Sequence, residues 1–227
     1  PFTNRLLLEA NLGMHVAVAG DVVARRSDGE AAETAVRAAG GGGVYGVDLT
    51  LHCVLEDLQP TEAFPVPFRM LSFDLETSIA DNRILCAAAV VEDLATGDRS
   101  VHTWREDESE LLEGMTRLVL EQDPDIITGY NIDNFDLPRI AERVEALGGR
   151  KDAARRLAMF GWGRTPQDAS DLRRQRESVV PKRASTRAWT LGGRCVMDAW
   201  WQARMALRPQ RETLAFVSAL LFPEDAE

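Results

Sequence analysis

An apolar run at residues 69–76 ends in two acidic side chains, Asp74 and Glu76. Residues two apart on a β-strand point to the same face, so the two carboxylates project together while Phe73 and Leu75 face a core on the other side. Two acids at the end of a buried central strand are electrostatically costly unless a cation lies between them. The run therefore predicts a central strand with an acidic site at its end. The alternative is an exposed strand end with two solvated acids.

A further acidic residue follows in a predicted strand, loop and helix. Residues 125–130 predict the strand, and the helix runs from about Asn134 to Leu147. Asn134 can cap this helix, which places Asp136 in the first turn, where the helix dipole favours an ionised carboxylate. Helix capping is the structural alternative for Asp136 taken alone.

The order of the remaining elements indicates the fold class. Two more strands are predicted at 84–92 and 99–104 with a turn at 96–98, and a helix then begins with Ser109 as its N-cap and ends at Asp123. The order β-β-β-α-β-α, with three antiparallel strands first, is the ribonuclease-H-like plan, an α/β fold with a mixed sheet flanked by helices. The order alone is suggestive, because other α/β sandwiches share parts of it.

In this plan the fourth strand lies beside the first, so the loop after it opens near Asp74 and Glu76 and brings Asp136 to them. Three converging carboxylates are the geometry of two-metal phosphodiester hydrolysis. Hard oxygen ligands in this number suit Mg²⁺ or Mn²⁺ rather than zinc. The sequence therefore predicts a metal-dependent site at this edge of the sheet.

Residues 1–66 are predicted to form a separate, mostly β domain, and residues 67–227 are predicted to form the second domain. Prolines between 60 and 67 mark the boundary. Within the first domain, residues 20–43 are interpreted as a surface insertion or loop, because four consecutive glycines at its end disfavour a regular element. The predicted elements of this domain are a helix at 4–13, a strand at 14–19 and a strand at 47–55.

The net charge of −10 conceals an asymmetry along the chain. Residues 150–211 contain 15 of the 26 basic side chains but only 5 of the 36 acidic ones. Such segregation indicates a polyanionic partner bound by this basic segment. The alternative is a solvated surface whose charges pair with acids of the folded protein.

Composition excludes several classes of protein. Cys53, Cys86 and Cys195 are the three cysteines, and their wide spacing excludes a disulfide framework or a CxxC metal clip. No stretch reaches the ~18 uninterrupted apolar residues of a membrane span. A reducing compartment fits best, so we expect a cytoplasmic protein without a membrane partner. Because the chain begins at Pro1, we expect it to be a piece of a longer one.

Two motifs resemble those of a known family. Residues 71–77 (Leu-Ser-Phe-Asp-Leu-Glu-Thr) resemble the first exonuclease motif of family B DNA polymerases, and residues 129–138 (Gly-Tyr-Asn-Ile-Asp-Asn-Phe-Asp-Leu-Pro) resemble the second. Residues 193–200 and 211–222 are similar to the strand and helix that follow, and residues 1–9 to a stretch of the N-terminal domain. The chain thus resembles part of the N-terminal domain and most of the 3′→5′ exonuclease domain of such a polymerase.

The resemblance implies two-metal 3′→5′ exonucleolytic proofreading of DNA during replication. Asp74 and Glu76 would be catalytic and bind the two Mg²⁺ or Mn²⁺ ions, and Asp136 would hold the second ion directly or through water. The positions that the resemblance assigns to the 3′ end of the DNA strand are Leu75, Asn131 and Phe135.

The family's third exonuclease motif, Tyr-x-x-x-Asp on a helix, would lie beyond residue 220. We therefore expect a domain truncated before this motif, and an isolated chain that is inactive or weakly active. The same resemblance assigns a structural role to Asp198.

The part of the basic segment between Phe160 and Arg194 resembles the β-hairpin that helps to part primer from template as the strand moves to the exonuclease. Arg173, Arg174 and Arg176 are therefore expected to bind DNA. Trp162 and Trp189 lie within this segment, one before and one after these three arginines, and are candidates for stacking on bases.

The partners implied by the resemblance are single-stranded 3′ ends, primer–template DNA, the remaining polymerase domains and a sliding clamp, in the nucleoid-associated cytoplasm of an archaeon. Two alternatives stay open. One is a non-catalytic, ribonuclease-H-like DNA-binding or scaffolding module of an inactivated homologue, which the intact Asp74, Glu76 and Asp136 disfavour. The other is a stand-alone ribonuclease-H-like nuclease, which the N-terminal segment and the length of the resemblance disfavour.

Overall fold

The chain divides into two compact units, Pro1–Pro67 and Phe68–Glu227. In the described part of the chain, no helix is both long and apolar enough to cross a membrane. The structure is a computed structural model, and it describes residues 12, 15–25, 49–148, 152–164, 173–177 and 186–223.

The first unit contains two antiparallel strand pairs. In one pair β1 (Val16–Val18) lies against β4 (Leu58–Pro60), and in the other β2 (Asp21–Arg25) lies against β3 (Leu49–His52). A single 3-10 turn at Leu55–Asp57 leads into β4. The two strands predicted for this unit are therefore present, and each is shorter than its predicted range.

Strand β2 corrects the prediction of a loop at 20–43. It pairs with β3 around a β-bulge, and Ala24 within it is buried. The local sequence does not indicate β2, because its pairing partner β3 lies more than twenty residues further along the chain, beyond the glycine run. Residues 26–43, and the predicted helix at 4–13 apart from Leu12, lie outside the described residues.

The second unit contains one five-stranded sheet made of β5 (Arg69–Thr77), β6 (Ile84–Asp93), β7 (Arg99–Trp104), β8 (Ile126–Gly129) and β11 (Cys195–Asp198). The strand order is β11-β8-β5-β6-β7. β5 is antiparallel to β6 and β6 to β7, whereas β8 is parallel to β5 and β11 is parallel to β8. Helices flank this mixed sheet, so the predicted ribonuclease-H-like fold class is confirmed.

The helices described in this unit are α1 (Glu108–Gln122), α2 (Asp136–Gly148), α3 (Ala153–Phe160), α4 (Ala199–Leu207) and α5 (Leu214–Leu221). Asp107, rather than the predicted Ser109, is the N-cap of α1, because its carboxylate accepts the Ser109 backbone N–H at 3.1 Å. Helix α2 begins at Asp136 rather than at Asn134. The Asn134 side-chain amide instead donates to the Asn131 side-chain oxygen at 2.9 Å.

The core of this unit lies between the sheet and helices α1 to α3. Leu71, Phe73 and Leu75 of β5 are each at most 4% exposed, and Trp162 is fully buried. The Trp162 indole N–H donates to the Thr116 hydroxyl at 3.1 Å, and its ring packs edge-on against Phe73 with 5.3 Å between centroids. Trp162 is therefore a core residue, which corrects its proposed stacking on bases.

The basic segment contains an antiparallel strand pair, β9 (Arg173–Glu177) with β10 (Thr186–Thr190). Two other arginines of the basic segment contact an acidic residue of the second unit. Arg164 forms an ion pair with Asp123 at 3.0 Å, and the buried guanidinium of Arg194 contacts the same carboxylate at 2.8 Å. These two arginines fit the alternative in which basic charge is paired within the folded protein.

Candidate active site

Asp74 and Glu76 lie at the carboxyl end of β5, on its exposed face, while Leu75 between them points into the core. Partial burial raises the pKa of the Asp74 carboxyl and the negative charge of Glu76 raises it further, whereas a hydrogen bond from the Leu75 backbone N–H lowers it. The two carboxylates are therefore close enough to interact, as the strand alternation predicts.

Asp136 is the first residue of α2 and is 1% exposed. Burial raises the pKa of its carboxyl to about 7, with a further contribution from the charge of Asp74, and a hydrogen bond from the Leu75 N–H acts in the opposite direction. Among the described residues, its Oδ1 has no hydrogen-bond partner. Asp136 therefore lies beside Asp74 and presents a buried acceptor that nothing in the described chain satisfies.

The three predicted ligands do not form a closed metal cage. Within the described ranges, no three His, Cys, Asp or Glu side chains are grouped so that they could hold an ion. Asp74 interacts with Glu76 and also with Asp136. The structure thus brings these residues together as two neighbouring pairs that share Asp74, and their role as ligands stays a prediction.

Gly129 and Asn131 shape the loop between β8 and α2. A Cβ at Gly129 would lie 2.5 Å from the Phe73 carbonyl oxygen, so glycine allows β8 to approach β5 here. Asn131 has φ 65°, in the left-handed region that asparagine tolerates better than most residues. Its carbonyl oxygen accepts the Phe135 N–H at 3.1 Å. This turn delivers Asp136 to the start of α2.

A buried carboxylate from the neighbouring strand holds this loop. Asp198, at the end of β11, is 4% exposed and is paired in register with Gly129. Its Oδ1 accepts the backbone N–H of Asn131 at 2.8 Å and of Trp200 at 2.9 Å, and its Oδ2 accepts that of Asp133 at 3.0 Å. Burial raises the pKa of Asp198, although these hydrogen bonds oppose the rise. Asp198 therefore has a structural role, and part of that role is to hold the backbone of the second motif.

An open groove of about 380 Å³ lies between this loop and the segment that joins α4 to α5. The Tyr130 hydroxyl donates to the Glu212 carbonyl oxygen at 2.8 Å and ties the two sides together. The sequence favours helix packing over base stacking for Trp200, and it gives no signal for Glu212 and Leu214, whose neighbourhood indicates only a helix. The residues that line the groove are Asp74, Tyr130, Asn131, Phe135, Asp136, Trp200, Glu212, Thr213 and Leu214.

The residues predicted to contact DNA are not all at the groove. Asn131 and Phe135 line it, and Phe135 is 40% exposed. Leu75 is buried in the core, which corrects the predicted contact of its side chain with a base and leaves its backbone N–H as its contribution to the site. The remaining predicted residues lie on β9, away from the groove in sequence, and are Arg173, Arg174 and Arg176. Their binding of DNA stays a prediction.

Residues 94–211, just over half of the chain, match the family model described as DNA polymerase family B, exonuclease domain. The chain belongs to this family. The matched range of the family B exonuclease domain contains Asn131, Asp136 and Asp198, whereas Asp74 and Glu76 precede it.

Relatives of this family B exonuclease domain are DNA polymerases of archaea and eukaryotes. The chain is 30% identical over 129 residues to DNA polymerase 2 of Aeropyrum pernix, which covers 51% of the chain and 15% of that protein. It is 33% identical over 98 residues to a DNA polymerase of Thermococcus litoralis, which covers 36% of the chain and 6% of that protein. It is 50% identical over 48 residues to the DNA polymerase delta catalytic subunit of Plasmodium falciparum, which covers 21% of the chain and 4% of that protein.

A similar solved structure is the family B DNA polymerase of Pyrobaculum calidifontis. It is 24% identical, with a TM-score of 0.48 over 78% of this chain and 20% of that one. The family B exonuclease domain therefore spans only a small part of the proteins that it resembles, at most 15% of the three relatives above.

Proposed function

We propose that the groove binds the 3′ end of a DNA strand, and that Asp74, Glu76 and Asp136 catalyse its two-metal, 3′→5′ exonucleolytic hydrolysis as a proofreading reaction. The Asp136 carboxyl supports this most directly, because it is 1% exposed and its Oδ1 has no hydrogen-bond partner in the described chain. Burial of an unpartnered carboxylate is costly unless a cation neutralises it. The site therefore fits a cationic ligand.

The donor set suits Mg²⁺ or Mn²⁺, because carboxylate oxygens are the hard ligands that these ions prefer. Glu76 is exposed, so its side chain can turn towards Asp74 with little loss of hydration. Two bound ions would activate water and stabilise the charge that develops on the phosphate and the leaving oxygen. The Leu75 N–H, which lies close enough to Asp74 and Asp136 to lower the pKa of each carboxyl, would help to keep these two carboxylates oriented.

The remaining groove residues fit an unpaired nucleotide. The exposed ring of Phe135 offers a surface on which a base can stack, and such stacking depends little on base identity. The Arg139 guanidinium lies 5.8 Å from the centroid of this ring and helps to hold it. A site that removes any mismatched nucleotide needs this tolerance.

The context of a whole polymerase belongs to the same proposal. The domain would act beside the polymerase domains of a longer chain, receive the primer 3′ end from them, and work with a sliding clamp. The third motif of that chain would supply a further anionic ligand, which explains why the isolated chain is expected to be weak or inactive.

Mn²⁺ binding and nucleotide release test the proposal together. Calorimetric titration should detect Mn²⁺ binding to the chain, and Asp136→Ala should remove it. In a longer chain that includes the third motif, the wild type should release mononucleotides from a 3′-labelled single strand, and Asp136→Ala should release none. Glu121→Ala, which removes an exposed acid at the far end of α1, is the matched control and should behave like the wild type. Equal Mn²⁺ affinity in wild type and Asp136→Ala would contradict the assignment.

A non-catalytic DNA-binding module is the second candidate. The lack of a closed ligand cluster among the described residues favours it. Such a module would bind the single strand equally well in Mn²⁺ and in a chelator, and would release no nucleotide in either. Metal-independent binding without release, in the longer chain, would decide for this candidate.

A further inference from the structure

The two sides of the groove meet at one carboxylate. One side is the loop of the second motif, which includes Asn131, Phe135 and Asp136, and the other begins with Trp200 on α4. Asp198 hydrogen-bonds to the backbone of both sides. The Tyr130 hydroxyl, which donates to the Glu212 carbonyl oxygen at 2.8 Å, is a second link, but it reaches the backbone of one side only, whereas Asp198 binds the backbone of both.

On the loop side, Asp198 accepts two backbone N–H groups, from Asn131 at 2.8 Å and from Asp133 at 3.0 Å. Asn131 is in the left-handed conformation, with φ 65°, and such a conformation persists where surrounding contacts fix it. The path from this residue to Asp136 is only five residues long. The orientation of the Asp136 carboxyl therefore depends on where Asp198 holds the loop.

On the other side, the same Oδ1 that binds Asn131 also accepts the Trp200 N–H at 2.9 Å and caps α4. Trp200 packs edge-on against Trp201, with 4.6 Å between centroids, and the Arg204 guanidinium lies 5.3 Å from its ring. The Trp200 side chain is thus held against its own helix. A shift of Asp198 would move this side and the loop side relative to each other.

We propose that Asp198 is a positioning residue that sets the width of the groove and the orientation of Asp136 within it. It touches neither an ion nor a nucleotide, and it acts through the backbone of the second motif. This inference rests on the proposed function for its consequences in metal and strand binding, whereas its effect on the loop is independent of that function.

Two variants of the chain separate the contacts. Asp198→Asn keeps an oxygen for Asn131 and Trp200 but places an amide against the Asp133 N–H. Asp198→Ser keeps an N-cap for α4, since serine is a favoured cap, but cannot reach both loop N–H groups. Glu108→Gln is the control, because Glu108 is equally buried at 4% exposure and its partners Arg143 and Ile84 do not line the groove.

Amide hydrogen exchange, followed by NMR in a chelator, reads the loop directly. Exchange at Asp133 should become about tenfold faster or more in both variants, and exchange at Asn131 should follow in Asp198→Ser, because hydrogen bonds to a charged acceptor are lost. Mn²⁺ should bind about tenfold more weakly, the usual effect of removing a group that orients a metal ligand. Affinity for a 3′-ended single strand in the chelator should also fall. Glu108→Gln should change none of these at the loop.

Each alternative result has a defined meaning. Unchanged exchange at both loop residues would overturn the inference, and so would faster exchange spread evenly over the whole sheet. Faster local exchange with wild-type affinity for Mn²⁺ and for the strand would also overturn it, because the loop would then be ordered without positioning the site. A wild-type chain that binds no Mn²⁺ would contradict the proposed function alone, since exchange and strand affinity in the chelator would still decide the role of Asp198.

Discussion

The Glu108 carboxylate receives two parallel hydrogen bonds from the Arg143 guanidinium, at 2.8 and 2.7 Å, although Glu108 is only 4% exposed. It also accepts the Ile84 backbone N–H at 2.7 Å. This carboxylate therefore joins the start of α1 to α2 and to the start of β6. Its neighbour Arg143 is partly exposed, which limits the energy of the pair but leaves the bidentate geometry intact.

Glu108→Gln is expected to lower the free energy of unfolding by about 2 kcal/mol, because it removes charge-assisted hydrogen bonds from a buried position. Urea denaturation measures the change. The matched control is Glu142→Gln, since Glu142 is 57% exposed and pairs with Arg139 at 2.7 Å. Its loss should be about 0.5 kcal/mol or less, as for other exposed pairs on one helix. Equal losses in the two variants would show that burial of Glu108 contributes nothing.

Stability should also depend on pH through Asp133. Burial, followed by the charge of Asp198, raises the pKa of this carboxyl from 3.8 to about 7. Because its pKa is higher in the folded chain than in the unfolded one, the folded state binds the proton more tightly. The free energy of unfolding should therefore fall as the pH rises from about 4 to about 7, by at most ~1.4 kcal/mol per pH unit for this one proton.

Asp133→Asn should remove this part of the pH dependence and raise stability above about pH 7. Urea denaturation of wild type and variant across this range, in a chelator so that no metal intervenes, measures both effects. Parallel stability curves for the two proteins would mean that Asp133 does not titrate in this window.

Local sequence patterns were sufficient to predict the central strand and the face on which its two acidic residues lie. Strand alternation placed Asp74 and Glu76 on one face and Leu75 in the core, since period-two alternation needs no information from elsewhere in the chain. The start of α1 was wrong by two residues because Asp107 and Ser109 are both good caps, and local sequence does not decide between them.

Non-local pairing accounts for what the sequence did not predict. Asp198 meets Asn131 only because β11 lies parallel to β8, and the carboxyl ends of parallel strands share an edge of the sheet. Once the ribonuclease-H-like strand order is inferred, the position of Asp198 at the carboxyl end of the next parallel strand predicts that it lies near the second motif. Trp162 was misjudged for a similar reason: beside a basic segment it suggested a nucleic-acid contact, but its burial depends on packing against Phe73 and Thr116.

In a polymerase that contains this domain, Asp136→Ala should abolish excision of a mismatched 3′ nucleotide and leave primer extension largely intact. The reason is that a carboxylate in one active site does not serve a second active site on a separate domain. Excision and extension are assayed side by side on the same primer–template, with Glu121→Ala as control. Loss of both activities to the same degree would indicate a folding defect and would contradict the separation of the two sites.

The strand pair β9–β10 lies in the basic segment, while the groove itself is lined by the acidic residues Asp74, Asp136 and Glu212. Negative charge at the groove repels phosphates at long range, so a strand needs a positive surface nearby in order to approach. Three arginines lie within β9 and are expected to provide such a surface, whereas Arg164 and Arg194 of the same segment are engaged in ion pairs.

Reversal of all three residues Arg173, Arg174 and Arg176 to Glu in the longer polymerase should lower its affinity for single-stranded DNA and flatten the salt dependence. Each lost phosphate contact should reduce the slope of log affinity against log salt by roughly 0.7. The matched control reverses three exposed arginines elsewhere, so that it makes the same change in net charge at a different place. They are Arg99 on β7, Arg105 just after β7 and Arg117 on α1.

Titrations at several salt concentrations separate the two triple variants. A shallower slope only in the β9 variant supports direct phosphate contacts there, because a general loss of positive charge would affect both variants equally. An unchanged slope in the β9 variant would exclude phosphate contacts by these arginines.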